Sequence, residues 1–195
     1  MGQYYYPTII SKRKKDGKLV VMKAFCTHDY SNGAKLMEHS YVDNYVVKEC
    51  ENALATDFYG YPFAWVGDYA DAKFGVNMYA AASDKAQTNG EPTPYEELPT
   101  YKYIINFTKK VYIEIPEKTD KWTIHPLPLL CADGNGQGIG DYFGTNMEIV
   151  GSWAYDKIGV ANEVPSNITK ELFVRFTESR YGGDDSVNDY HYIKH

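Results

Sequence analysis

Apolar and polar positions alternate in short runs over most of this chain, and helical spacing dominates only once. Residues 3–11 (QYYYPTIIS) and 18–25 (KLVVMKAF) are β-rich runs joined by a basic turn that ends in Asp16-Gly17. Asp-Gly supplies the positive φ of a tight turn, so the pair reads as a hairpin. Pro7 withdraws an amide donor, which points to an edge strand or a bulge. Over residues 34–54 the apolar side chains Met37, Tyr41, Val42, Tyr45, Val46, Cys50 and Leu54 recur at three- and four-residue spacing. Lys35, Glu38, Lys48, Glu51 and Asn52 fall opposite them. That pattern predicts one main helix, capped by Asp29 or Ser31 and packed on a sheet.

Beyond the helix, residues 63–66 (FAWV) form a short apolar run, and residues 83–100, with three prolines and Asn89-Gly90, read as a long exposed loop. Residues 101–107 and 111–115 predict a second hairpin. A strand-like apolar run then ends at Cys131-Ala132, and glycine follows at every second position (Gly134, Gly136, Gly138, Gly140) between Asp133 and Asp141. The chain closes this segment on Gly151-Ser-Trp-Ala-Tyr-Asp156, reads as turn over 160–167, and alternates again over 169–178 as a final strand. Residues 181–195 are a polar tail. Strand runs with one strong helix predict an α+β fold: a mostly antiparallel sheet of six to nine short strands, in one globular domain over residues 1–180.

Composition changes this picture in several places. A chain of 195 residues is long enough for a sizeable core. It contains 19 tyrosines, a residue that suits half-buried strands and also recognition surfaces. A net charge of −6 argues against binding nucleic acid through phosphate contacts, and the one basic run, residues 12–15, falls at the tip of the first hairpin. Three widely spaced cysteines (Cys26, Cys50, Cys131) speak for a reducing compartment rather than a disulfide framework. With no apolar run long enough for a membrane span and no signal-peptide pattern, the expected location is the cytoplasm, with no membrane partner.

Candidate chemistry centres on the glycine loop. Its exposed amides could cradle an anion, although it matches neither the dinucleotide fingerprint nor the P-loop. Asp133, Asn135, Gln137 and Asp141 fall at the offsets of oxygen ligands in a calcium loop. Position 12 of that loop, however, is Gly144 where a bidentate Glu is needed. A plain strand connection is the third reading. No cofactor is expected beyond the possibility of calcium.

Ligand-binding candidates are Asp68, Asp71, Gly134, Gly136, Gly138, Gly140, Trp153 and Asp156, because acids beside glycine or aromatics can line a site; the same acids also cap turns. Cys26 with His28 or His125 could form a thiol–imidazole pair in space. His39, on the expected helix, reads as solvated or capping. No catalytic set is assigned.

Five stretches carry a resemblance: MGQYY (1–5), GAKLMEHSY (33–41), AWVGDYAD (64–71), HPLPLLCADGNGQGIGDY (125–142) and VGSWAYDKI (150–158). In them the chain resembles small proteins of unassigned activity encoded by bacteriophages and prophage-bearing bacteria. The resemblance implies a phage-type accessory protein in the host cytoplasm. Together with the tyrosine surplus and the acidic charge, it leads to the expectation of a protein that binds a host protein, such as a defence component, without catalysis. The alternative is a small-molecule or metal-binding protein, or a hydrolase, using the acids around the glycine loop.

Overall fold

The computed structural model describes residues 3–73, 75–134 and 140–178. The chain is α+β, with three α-helices and eight strands among the described residues, the strands forming a mostly antiparallel sheet. The first hairpin forms as expected: β1 (Tyr5–Lys12) and β2 (Leu19–Ala24) pair antiparallel across a turn in which Gly17 takes φ +70°. β3 (Tyr61–Gly67) pairs with the other side of β1. The second hairpin, β4 (Tyr103–Asn106) with β5 (Val111–Glu114), also forms. β6 (Ala132–Asp133), β7 (Lys157–Ala161) and β8 (Lys170–Glu171) complete the sheet. Its order is β2-β1-β3-β7-β4-β5-β8, with β6 attached to β3.

β1 is therefore an interior strand, and the edge position expected from Pro7 is corrected. The β1–β2 ladder ends at Thr8↔Ala24, and Pro7 lies just beyond it, where only its carbonyl is used, by Phe25 N. The missing donor thus falls where no ladder bond is required. A bulge is present in the hairpin, but between Ile9 and Ile10, whose partners jump from Lys23 to Val21.

The sheet is covered on both faces. Phe63, Trp65 and Ile9 join the main core, whereas Ala64, Val66 and Ile10, pointing the opposite way, join a second cluster. On the main-core side lies α1 (Tyr45–Ala55), which begins about eleven residues later than expected. Over 34–44 the apolar spacing is helical, but the backbone is claimed by distant partners. Met37 N binds Asp141, Val42 N binds Thr123 O, and Tyr41 bridges Ile124. Only one 3₁₀ turn, Leu36–Glu38, survives there. Asp43 takes φ +64°, and the Asn44 side chain then caps Val46 N to start α1.

Neither is the opposite face of α1 solvated: Lys48 and Glu51 are buried, Lys48 against the Tyr95 ring and Glu51 against His125.

The second cluster is closed by α2 (Met78–Ala86), which Asn77 caps. It takes over the start of the expected 83–100 loop. The rest of that loop docks on α1: Tyr45 donates its hydroxyl to Thr93 O, Tyr95 stacks edge-on against Tyr45, and Leu98 is buried. The strand-like run before the glycine loop is also corrected. Residues Pro126–Leu130 form a short helix, α3, because Pro126 sits in its first turn and His125 caps Leu127 N.

Of the expected final strand over 169–178, only Lys170–Glu171 pairs regularly; part of the expected turn over 160–167 belongs to β7. The tail at 181–195 lies outside the described residues.

Candidate functional site

β6 runs parallel to β3, with Trp65 opposite Ala132 and Val66 opposite Asp133. Both strands therefore end side by side at an acid: β3 is followed by Asp68, and β6 ends on Asp133. The glycine loop leaves from this end and returns at Gly140-Asp141. Asp68, Asp133 and Asp141 thus gather around the buried Tyr5 phenol, whose pKa is pushed up by burial and then by these carboxylates. At Gly140 the returning chain passes close to Leu36 and Tyr5. Its φ is +63°, and an added Cβ would stand 3.0 Å from Leu36 Cβ and from the Tyr5 ring.

Each of these acids has structural work. Asp68 Oδ1 accepts from Tyr4 N at 3.1 Å, and Asp141 Oδ1 accepts from Met37 N at 2.9 Å. Asp133 accepts the Tyr155 hydroxyl on one oxygen and faces Lys73 Nζ at 3.5 Å on the other. Burial, with the Asp133 contact added, pushes the Tyr155 phenol up. The other expected candidates separate from this group. Asp156 stands at the β4–β7 side, bound to Asn106 Nδ2 at 2.9 Å and Lys109 Nζ at 3.4 Å. Trp153 is buried in the main core, held by its amide to Leu130 O, so it packs rather than presents a ring to a ligand. Asp71 is exposed.

Asn135, Gly136, Gln137 and Gly138 lie outside the described residues. Among the described residues no group of three or more His, Cys, Asp or Glu side chains is gathered as a metal set. Among the described residues here, one buried side-chain atom has no partner: Gln3 Nε2, beside Gly67, while Gln3 Oε1 accepts from the Tyr5 hydroxyl.

A cleft of about 520 Å³ opens next to this cluster, between the start of β1, residues 26–35 and the first turn of α2. That volume lies within the range of small-ligand sites. Its aromatic wall is Tyr4, Tyr6 and Tyr79. Tyr4, which bridges Lys35 just before β1, and Tyr6 are two apart and both line the cleft. Tyr6 and Tyr79 rings lie 5.1 Å apart, and the Tyr6 hydroxyl is 3.5 Å from Ser83 Oγ. Burial pushes the Tyr79 phenol up to about 12, so it stays a neutral donor.

Cys26 and His28 also line the cleft, with Sγ to Nδ1 at 4.0 Å; this realises one of the two thiol–imidazole pairs considered from sequence. His125 is elsewhere, buried with Nε2 at 2.9 Å from Glu51 Oε1. His39 is not solvated: it is fully buried, between Trp65 and Gly33. The sequence signal for the cleft was the YYY run, but the partner ring arrives from α2, more than seventy residues away.

No protein-family model, curated protein or solved structure gives a significant match to this chain. Among the described residues no helix is long and apolar enough to cross a membrane.

Proposed function

We propose that this chain works by binding a protein partner, without catalysis, and that the tyrosine-walled cleft is its recognition surface. The observation that carries this reading is the convergence of Tyr4, Tyr6 and Tyr79 around one opening. Tyrosine offers a large contact area with little rotamer entropy to lose, and such rings dominate interface energetics. The neighbouring acids are committed to backbone amides, a phenol and a lysine. A net charge of −6 favours a partner with a basic surface. The phage resemblance of the sequence motifs supports an accessory role in which that partner is a host cytoplasmic protein, such as a defence component.

The test is parallel capture from bacterial lysate on immobilised wild type and on the double variant Tyr4→Ser/Tyr79→Ser, with circular dichroism to confirm folding. A partner held by wild type should weaken by at least about 2 kcal/mol, roughly thirtyfold in Kd, in the variant. Equal retention by both proteins would place the contact away from the cleft. Absence of any specific partner at micromolar concentration would remove the reading.

One observation favours the second reading, a small-molecule site among the acids. Gln3 Nε2 is a buried donor without an acceptor beside Asp133 and Gly67, and a native structure normally satisfies such a group. A small oxygen-rich ligand reaching it would raise the melting temperature of wild type and not that of Gln3→Leu.

A further inference from the structure

We infer that Cys26 is a modification site for thiol–disulfide exchange, with His28 as its proton acceptor and the cleft as the chamber that admits a low-molecular-weight disulfide. The chain sets the pair by local geometry. Cys26 is extended, with φ −78° and ψ 114°, and residues Thr27–Tyr30 then turn in a 3₁₀ helix that brings residue 28 back toward residue 26. Asp29 N binds Cys26 O at 3.0 Å, and left-handed Ser31 closes the turn onto His28 O. Buried Thr27 and Tyr30 anchor the turn to the core. The sulfur and the imidazole, 4.0 Å apart, therefore both face the same opening, His28 exposed and Cys26 partly so.

The other two thiols differ. Cys50 and Cys131 are fully buried in the main core, and burial pushes both well up, which keeps them as unreactive thiols. The fold thus leaves Cys26 as the one cysteine that solvent reaches.

Exchange needs a thiolate, a place for its proton and a disulfide with a competent leaving group. His28 Nδ1 takes the proton from Sγ. The sulfur electron pair attacks one sulfur of the disulfide, and a new Cys26–S–S–R bond forms as the old S–S bond breaks. The second sulfur leaves as a thiolate and takes the proton back from the imidazolium, giving a free thiol. The incoming disulfide is reduced by the same two electrons that oxidise Cys26, so no further reagent is needed. The adduct occupies the cleft. This goes beyond the binding reading and does not depend on it, since exchange is measured without any partner.

The experiment uses the folded full-length chain and an aromatic disulfide, 5,5′-dithiobis(2-nitrobenzoic acid), whose released thiolate is followed by absorbance. One thiol should react fast, and Cys26→Ser should abolish that phase. His28→Ala and His28→Gln should slow it on the order of tenfold. Added imidazole should restore part of the rate in His28→Ala, and all His28 variants should match wild type in denaturant. Intact mass after treatment with glutathione disulfide should show one adduct, lost in Cys26→Ser. A fast phase that survives Cys26→Ser overturns the assignment of the thiol. Equal rates in wild type and both His28 variants, or no rescue by imidazole, overturn the role of His28. Failure to find a protein partner leaves these rates untouched, so the two proposals fall separately.

Discussion

The sharpest prediction concerns His39, whose protonation the fold opposes. Both ring nitrogens are committed: Trp65 Nε1–H donates to His39 Nε2 at 2.8 Å, and Nδ1 faces Gly33 O at 3.1 Å, where only a proton on Nδ1 makes a bond. The partners therefore assign the neutral Nδ1–H tautomer. A second proton could go only to Nε2, where it would point at the Trp65 N–H and destroy that bond. Burial adds the cost of desolvating a cation, so His39 is pushed down to about 4.

The sign follows from linkage. An unfolded histidine titrates near 6.5, so between that value and about 4 the unfolded chain binds the proton and the folded chain does not. Stability from this group is complete above 6.5, declines as pH falls, and stops declining below about 4. From about pH 7.5 to about pH 5 the loss amounts to about 2 kcal/mol, and the full shift would give about 3 kcal/mol.

The assay is urea unfolding at both pH values for wild type and His39→Gln, whose amide keeps one donor and one acceptor. Subtracting the two removes every other titrating group. A difference that does not change with pH, or an NMR titration of the His39 ring with its midpoint near 6.5, would refute the account.

Three further outcomes follow from particular contacts. His125→Leu leaves the Glu51 carboxylate buried without its partner and should cost about 3 kcal/mol in urea unfolding. Glu51→Leu/His125→Leu should recover much of that loss, which a purely steric role for His125 would not allow. Asp141→Ala should weaken the 36–38 turn by about 1–2 kcal/mol, because Met37 N loses its acceptor. Millimolar calcium should leave the melting temperature unchanged, since Asp133 and Asp141 already hold protein donors; a rise abolished by Asp133→Ala would restore the calcium loop.

The two hairpins were legible because their information is local. Asp16-Gly17 and the short link at residues 107–110 join alternating runs that need no distant partner to define them. The start of α1 was not, because apolar spacing at Met37 and Tyr41 is set by burial, and burial does not require a helix. Met37 and Tyr41 sit in the core, while the amides of Met37 and Val42 bind Asp141 and Thr123, acceptors far away in sequence. Helix α2 was hidden for the converse reason. Its buried face is Met78, Ala82 and Ala86, a stripe too small to stand out as an apolar period.

The site was half legible, and the missing half explains why function is hard to read from this chain. Acids beside glycines marked Asp68, Asp133 and Asp141, and the sheet does bring these three together at the ends of β3 and β6. Their chemistry is nevertheless decided by what reaches them: a carboxylate that caps an amide and one that awaits a ligand have the same sequence context. Only Tyr4 N, Met37 N and Tyr155 OH, arriving from other elements, distinguish the cases. The cleft has the opposite history. Tyr4 and Tyr6, two residues apart, and Cys26, two residues before His28, are local patterns, but they line a cleft together only when α2 brings Tyr79 to them. Since α2 owes its place to small residues packed on β2, replacing Ala82 with a larger side chain should push on Tyr6 and Cys26, which pack against the same cluster, and displace Tyr79, so that the cleft changes shape although Ala82 does not line it.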